Sequence, residues 1–103
     1  MGKKTVVWTP YSNFQMFMIL DYYTDRNKSS EYSLKLFAEL EKILEKLEFN
    51  ITLPQKTNLE DVFYFTHNHI SVVFSFNEIN IVVLATIDDR RNPKALQNFL
   101  NKL

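Results

Sequence analysis

Ile79-Asn80-Ile81-Val82-Val83-Leu84-Ala85-Thr86-Ile87, running into Asp88-Asp89-Arg90-Arg91-Asn92-Pro93, is the stretch on which the fold turns. It is apolar at nearly every position, so it reads as a strand buried on both faces and central in its sheet. Its polarity is held back for the end, where two aspartates and two arginines adjoin and Asn92-Pro93 stops the strand. A rigid sheet can present such a cluster in a fixed direction. The simpler reading is a solvated turn in which the four charges pair with one another.

Working outward, Ile70-Ser71-Val72-Val73-Phe74-Ser75-Phe76 places Ile70, Val72, Phe74 and Phe76 on one face and Ser71, Val73 and Ser75 on the other. Asn77-Glu78 then turns it into the strand that follows, which is expected to lie beside it. Asp61-Val62-Phe63-Tyr64-Phe65-Thr66 is a further strand, with His67-Asn68-His69 as a tight turn flanked by the two histidines. Before it, Phe49 to Glu60 holds Pro54 and the polar run Gln55-Lys56-Thr57-Asn58, and is expected to be a loop. Past Pro93, Leu96, Phe99, Leu100 and Leu103 share one face of a short terminal helix that either docks on the domain or frays.

The amino-terminal half has a different period. Lys4 to Trp8 is β-branched and aromatic and suits a strand, while Thr9-Pro10 reads as a helix cap with proline at the first helical position. From Tyr11 to about Arg26 the helix is apolar on more than one face: Phe14-Phe17-Met18 forms one stripe and Met16-Ile19-Leu20-Tyr23 another. One stripe is expected on the sheet and the other against the next helix, a second protein being the alternative cover. Asp25 to Ser30 is a polar connector in which Ser29 or Ser30 can cap a second helix, from about Glu31 to Glu48. There Leu36, Leu40, Ile43 and Leu47 face inward, and the opposite face, with Lys35 and Glu39 as an exposed pair, is expected to be solvated.

The expected fold class is therefore α+β, in the order β-α-α-β-β-β, with a helical hairpin packed on a largely antiparallel four-stranded sheet and a short C-terminal helix. At 103 residues the chain is one domain with one core, and nine Phe and five Tyr make that core aromatic-rich. Zero cysteines exclude disulfides, thiol nucleophiles and cysteine zinc sites, and fit a cytoplasmic protein. No run is long enough to span a membrane, and the short apolar run before Pro10 is not a signal peptide. Twelve basic and twelve acidic residues cancel, so the chain has no diffuse attraction for nucleic acid. Positive charge gathers only at Arg90, Arg91, Lys94 and Lys102.

Val6-Val7-Trp8-Thr9, the helix ending Leu40 to Leu47, and above all Ile87-Asp88-Asp89-Arg90-Arg91-Asn92-Pro93 with the tight hairpin before it, together resemble the RelE/ParE superfamily of bacterial toxins. The resemblance runs nearly end to end, so residues 1–103 are expected to form a single toxin domain of that kind. It implies a cytoplasmic toxin of a type II toxin-antitoxin module, of the plasmid-stabilization kind, paired with a cognate antitoxin protein. RelE-like members cut messenger RNA on the ribosome; ParE-like members inhibit DNA gyrase.

Ribonuclease chemistry needs cations on the phosphate in the transition state and groups to move protons. Between Thr57 and Asp89 the chain has no Arg or Lys, and Ser71 stands where such toxins often carry an arginine. Losing one such cation typically adds about 3 kcal/mol to the barrier. The departure favours the ParE-like reading, a toxin that binds and inhibits DNA gyrase; the alternatives are a ribosome-dependent endoribonuclease and a member that only binds its antitoxin.

For the binding role the candidates are Asp88, Arg90, Arg91 and Lys94; for the nuclease alternative they are His67, His69, Arg90 and Arg91, beside Tyr64. No cofactor is expected. The His-x-His pair lacks a cysteine partner and reads as exposed turn histidines rather than a zinc site. Asp88 and Asp89 point to opposite faces and are expected to pair with Arg90 and Arg91. Trp8 and the sheet phenylalanines are assigned to the core rather than to base stacking. The over-apolar first helix leaves two partners open, an antitoxin or a second copy of the chain.

Overall fold

The computed structural model describes residues 4–47, 55–57 and 59–103. Its elements are β1 (Thr5–Trp8), α1 (Pro10–Asn27), α2 (Glu31–Glu45), β2 (Gln55–Lys56), β3 (Phe63–His67), β4 (Ile70–Phe76), β5 (Asn80–Asp88) and α3 (Ala95–Asn101). The sheet order is β1-β5-β4-β3-β2, antiparallel except where β1 runs parallel to β5. The architecture is the expected α+β one: four principal strands, a helical hairpin and a short C-terminal helix. One correction concerns the expected loop. Its described part holds β2, a two-residue edge strand against Phe63 and Tyr64, and the rest, 49–54 and 58, lies outside the described residues.

Local chemistry explains the boundaries. The Thr9 hydroxyl accepts the Ser12 amide at 3.1 Å and Pro10 follows, so α1 starts where a side chain satisfies a free helix amide. Lys28 adopts φ 54° at the other end and closes the helix in the left-handed region. The β3–β4 hairpin turns on Asn68 (φ 49°) and His69 (φ 66°), a two-residue turn of the mirror-image type. His69 therefore lies inside the turn rather than flanking it, and His67 ends β3 opposite Ile70.

Helices α1 and α2 cover one face of the sheet, where Met16, Ile19, Leu36, Leu40 and Leu44 meet Ile70, Val72, Phe74, Ile81 and Val83. Trp8 packs there against Phe37, with ring centroids 5.9 Å apart, in the core as expected. Helix α3 docks on the opposite face, its Leu100 packing with Val73, Ala85 and Ile87; Leu103 lies beyond the helix and is exposed. Each large side chain taken fully out of water contributes about 1.5–3 kcal/mol, so the helical face carries most of the stability.

β5 changes side half-way. Val73 pairs with Ala85 but Phe74 pairs with Val83, leaving Leu84 as an extra residue. Before this bulge Ile81 and Val83 face the helices; after it Thr86 and Asp88 do, and Ala85 and Ile87 join the α3 face.

The second apolar stripe of α1 is not covered by α2, contrary to expectation. α2 packs on the side of Leu20 and Thr24, where the Ser33 hydroxyl donates to the Leu20 carbonyl at 2.8 Å. Phe14 and Phe17 stay 61% and 63% exposed, with Met18 and Tyr11 beside them. The reason is that α1 is turned by its contacts with β5, where the Gln15 side chain accepts the Thr86 amide and the Ser12 carbonyl accepts the Thr86 hydroxyl.

Candidate functional site

The charged end of β5 is built around Asp88, which is 2% exposed. Tyr23, near the C-terminal end of α1, donates its hydroxyl to Asp88 Oδ2 at 2.7 Å. Oδ1 accepts the backbone amides of Arg90 at 3.1 Å and Arg91 at 3.3 Å, and the Asp88 carbonyl accepts the Asn92 amide at 2.9 Å. One carboxylate thus closes the turn after β5 and ties it to α1. The expected Asp–Arg pairing is corrected here: Asp88 binds the arginines' main chain, not their guanidinium groups.

The arginine side chains go elsewhere. Arg91 lies over the Tyr22 ring, 3.6 Å from its centroid, a cation–π contact. Arg90 lines an open cleft with Tyr23, Arg26, Asn27 and Tyr32. Tyr23 and Tyr32 meet edge to face at 5.3 Å. Lys94 stands exposed at the start of α3, outside that cleft.

Burial, then the hydrogen bond and the negative charge of Asp88, push the Tyr23 hydroxyl up to about 12, while Arg90 opposes the shift. A group whose proton is held more tightly in the folded state stabilises fully below its unfolded value, near 10, and the contribution disappears as pH rises through about 12. In a spectrophotometric titration at alkaline pH one phenol should therefore ionise near 12, and Tyr23→Phe should remove that step. A wild-type curve without a late step would contradict the buried Tyr23–Asp88 bond.

Asp89 points to the other face, as alternation requires, and accepts the Ser71 hydroxyl; Thr66 and Ser71 share a hydrogen bond of 2.9 Å. Thr66 and Asp89 border a second, open cleft of about 590 Å³ between the sheet and α3, lined also by Lys56, Tyr64 and Gln97. Among the described residues lining it, Lys56 is the only cation. Arg90 and Arg91 project on the helical side of the sheet, so they do not complete this cleft.

The histidines are separated as well. The His67 ring binds Glu39 of α2 at 3.0 Å and is half-buried, so it is not a free turn histidine, and Glu39 is not simply a solvated partner of Lys35. That bond to His67 holds the Glu39 carboxyl below the usual glutamate range, against a smaller opposing effect of burial. His69 is exposed in the turn, and its carbonyl accepts the Asp89 amide at 2.8 Å. The structure thus brings Asp88, Arg90 and Arg91 into one turn, with the hairpin tip next to it, while His67 is engaged by Glu39 and neither histidine lines the cleft that holds Arg90. Among the described residues no three His, Asp or Glu side chains converge as metal ligands.

Sequence reasoning missed Tyr22, Tyr23, Arg26 and Tyr32. Tyr23 occupies an apolar-stripe position of α1, and the available signal was that a buried phenol needs a partner for its hydroxyl.

No family model matches the chain. No curated protein matches it either. Among solved structures, a chain described as "Chromosomal ParDE TA system from P. aeruginosa" superposes with a TM-score of 0.64 at 20% sequence identity. The match covers 84% of this chain and 96% of that one. At that identity the likeness concerns architecture, and this chain shares the fold of a chain from a ParDE toxin-antitoxin system.

Proposed function

We propose that the chain, read as a single toxin domain, is the toxin component of a type II toxin-antitoxin module and acts by binding a macromolecular target. Three things support this reading: the shared fold with the ParDE system, the resemblance of Ile87 to Pro93 to the RelE/ParE superfamily, and the way the turn is anchored. The last carries most weight. Asp88 holds the backbone of Arg90 and Arg91 rigid while leaving both guanidinium groups at the surface, an arrangement suited to a contact patch. The partners are a cognate antitoxin and, following the ParE-like side of the resemblance, DNA gyrase.

A ribonuclease role is less well supported by the geometry. The cleft over the sheet offers one ammonium, one phenol and one carboxylate already bonded to Ser71, and transition-state charge on a phosphate calls for more cations than that.

Induced expression in a bacterial host is expected to arrest growth with transcripts intact and a DNA-damage response raised. Arg90→Ala with Arg91→Ala should relieve the arrest by at least tenfold in surviving colonies, given two lost charged contacts. Transcripts cut at ribosomal A-site positions would overturn the gyrase reading in favour of the nuclease. Undiminished arrest by the double variant would remove the two arginines from the mechanism.

A further inference from the structure

The cleft that Arg90 shares with Arg26, Asn27 and Tyr32 is not explained by the fold. Among the described residues neither guanidinium has a hydrogen bond or an ion pair. The cleft lining holds no carboxylate, and Asp88 beneath it is already engaged by Tyr23 and two amides. Two guanidinium forks, an amide and a phenol therefore converge on a space of about 260 Å³ with no counter-charge in its lining. Guanidinium groups match the planar geometry of a bound oxyanion, and an uncompensated pair of them favours one.

We propose that this cleft receives a carboxylate of a partner polypeptide whose apolar side chains lie along the exposed face of α1. The inference rests on the reading that a protein partner covers this chain. Phe14, Met18, Tyr22 and Arg26 follow one another at four-residue spacing, so one side of α1 leads from bare aromatic surface to the cleft. Arg91 caps the Tyr22 ring and extends the positive end of that strip. Phe14 to Arg26 spans about 18 Å of helix, so about 12 helical residues of a partner would follow it, with an acidic residue at one end.

A nucleic acid fits less well. The chain's formal charge is zero, and a polyanion would meet apolar surface, not further cations, along the strip next to the cleft.

The test is a nuclear magnetic resonance titration of the labelled full chain, following the Arg26 and Arg90 side-chain Nε–H groups and the Met18 methyl. The probe is a blocked alanine-rich helical peptide with two leucines and one glutamate at successive i, i+4 positions. Binding should move all three signals, and a peptide with glutamine for glutamate should bind about tenfold more weakly. Arg26→Gln with Arg90→Gln should abolish that preference while leaving the remaining amide spectrum in place. Equal binding of the two peptides overturns the proposal, as does an oligouridylate that moves the arginine signals where the peptide does not. A chain that is harmless in cells yet prefers the glutamate peptide would sink the toxin reading alone. A toxic chain without the preference would sink this inference alone.

Discussion

Asp88→Ala is expected to lower the unfolding free energy by about 3 kcal/mol, measured by urea denaturation at neutral pH. The change removes a nearly inaccessible carboxylate that serves three donors: the Tyr23 hydroxyl and the amides of Arg90 and Arg91. A buried donor left without an acceptor costs about 1–3 kcal/mol, and the Tyr23 hydroxyl has little access to water in compensation. Asp88→Asn keeps an oxygen for the two amides but puts an NH₂ group near the phenol, so it should recover only part of the loss. The functional effect should follow the structural one, because the turn that carries both arginines would lose its anchor to α1. A loss below about 1 kcal/mol would mean that the carboxylate is not needed to hold the turn.

Phe74→Ala should cost about 4 kcal/mol by the same measurement, for a different reason. Phe74 is fully buried at the centre of the helical face, and its ring stands 6.0 Å from Phe63 and 6.1 Å from Phe65. Its neighbours belong to strands already tied by hydrogen bonds, so they can collapse only partly into the space. The cavity term therefore adds to the lost transfer energy. Arg91 and Tyr22 lie outside this cluster of rings, so the cation–π contact should persist in the folded variant. A loss under about 2 kcal/mol would show that β3 and β4 repack freely, contrary to the close-packed sheet.

The architecture was legible because each element carries its own period and its own stop signal. Thr9-Pro10 marks the start of α1, alternation in Ile70 to Phe76 sorts the two faces of β4, and the apolar run before Asp88 makes β5 interior. What stayed hidden depends on angles that periodicity does not encode. The bulge at Leu84 exchanges the faces of β5, yet nothing about an apolar run of that kind marks one residue as extra. Phe14 and Phe17 read as a buried stripe because composition reports affinity for apolar surroundings, not whether the chain itself supplies them.

The candidate site was half legible for a related reason. Arg90 and Arg91 were visible as neighbours in sequence, and their turn was placed correctly. Arg26 and Tyr32 enter only through the fold, from helix positions far from β5 in the chain, and neither has a local pattern that points to a cleft. The pairing of Asp88 with Arg90 and Arg91 was a reasonable expectation from charge alone. Backbone amides took precedence because they lie closer along the turn and cannot turn away to water.

The parallel pairing of Thr5 with Asn80 also bears on how the molecule comes into being. β1 is synthesised long before its partner β5, and α1 finds its anchoring contacts, through Ser12 and Gln15, on that same late strand. During translation neither can settle, so the sheet-facing stripe of α1, with Met16 and Ile19, waits uncovered until β5 has emerged. Contacts so distant in sequence slow folding, and they make its last step the closure of the whole sheet. The turn bearing Arg90 and Arg91 then forms in the same event that completes the core, so this chain gains its arginine surface only once β5 has joined β1 and α1.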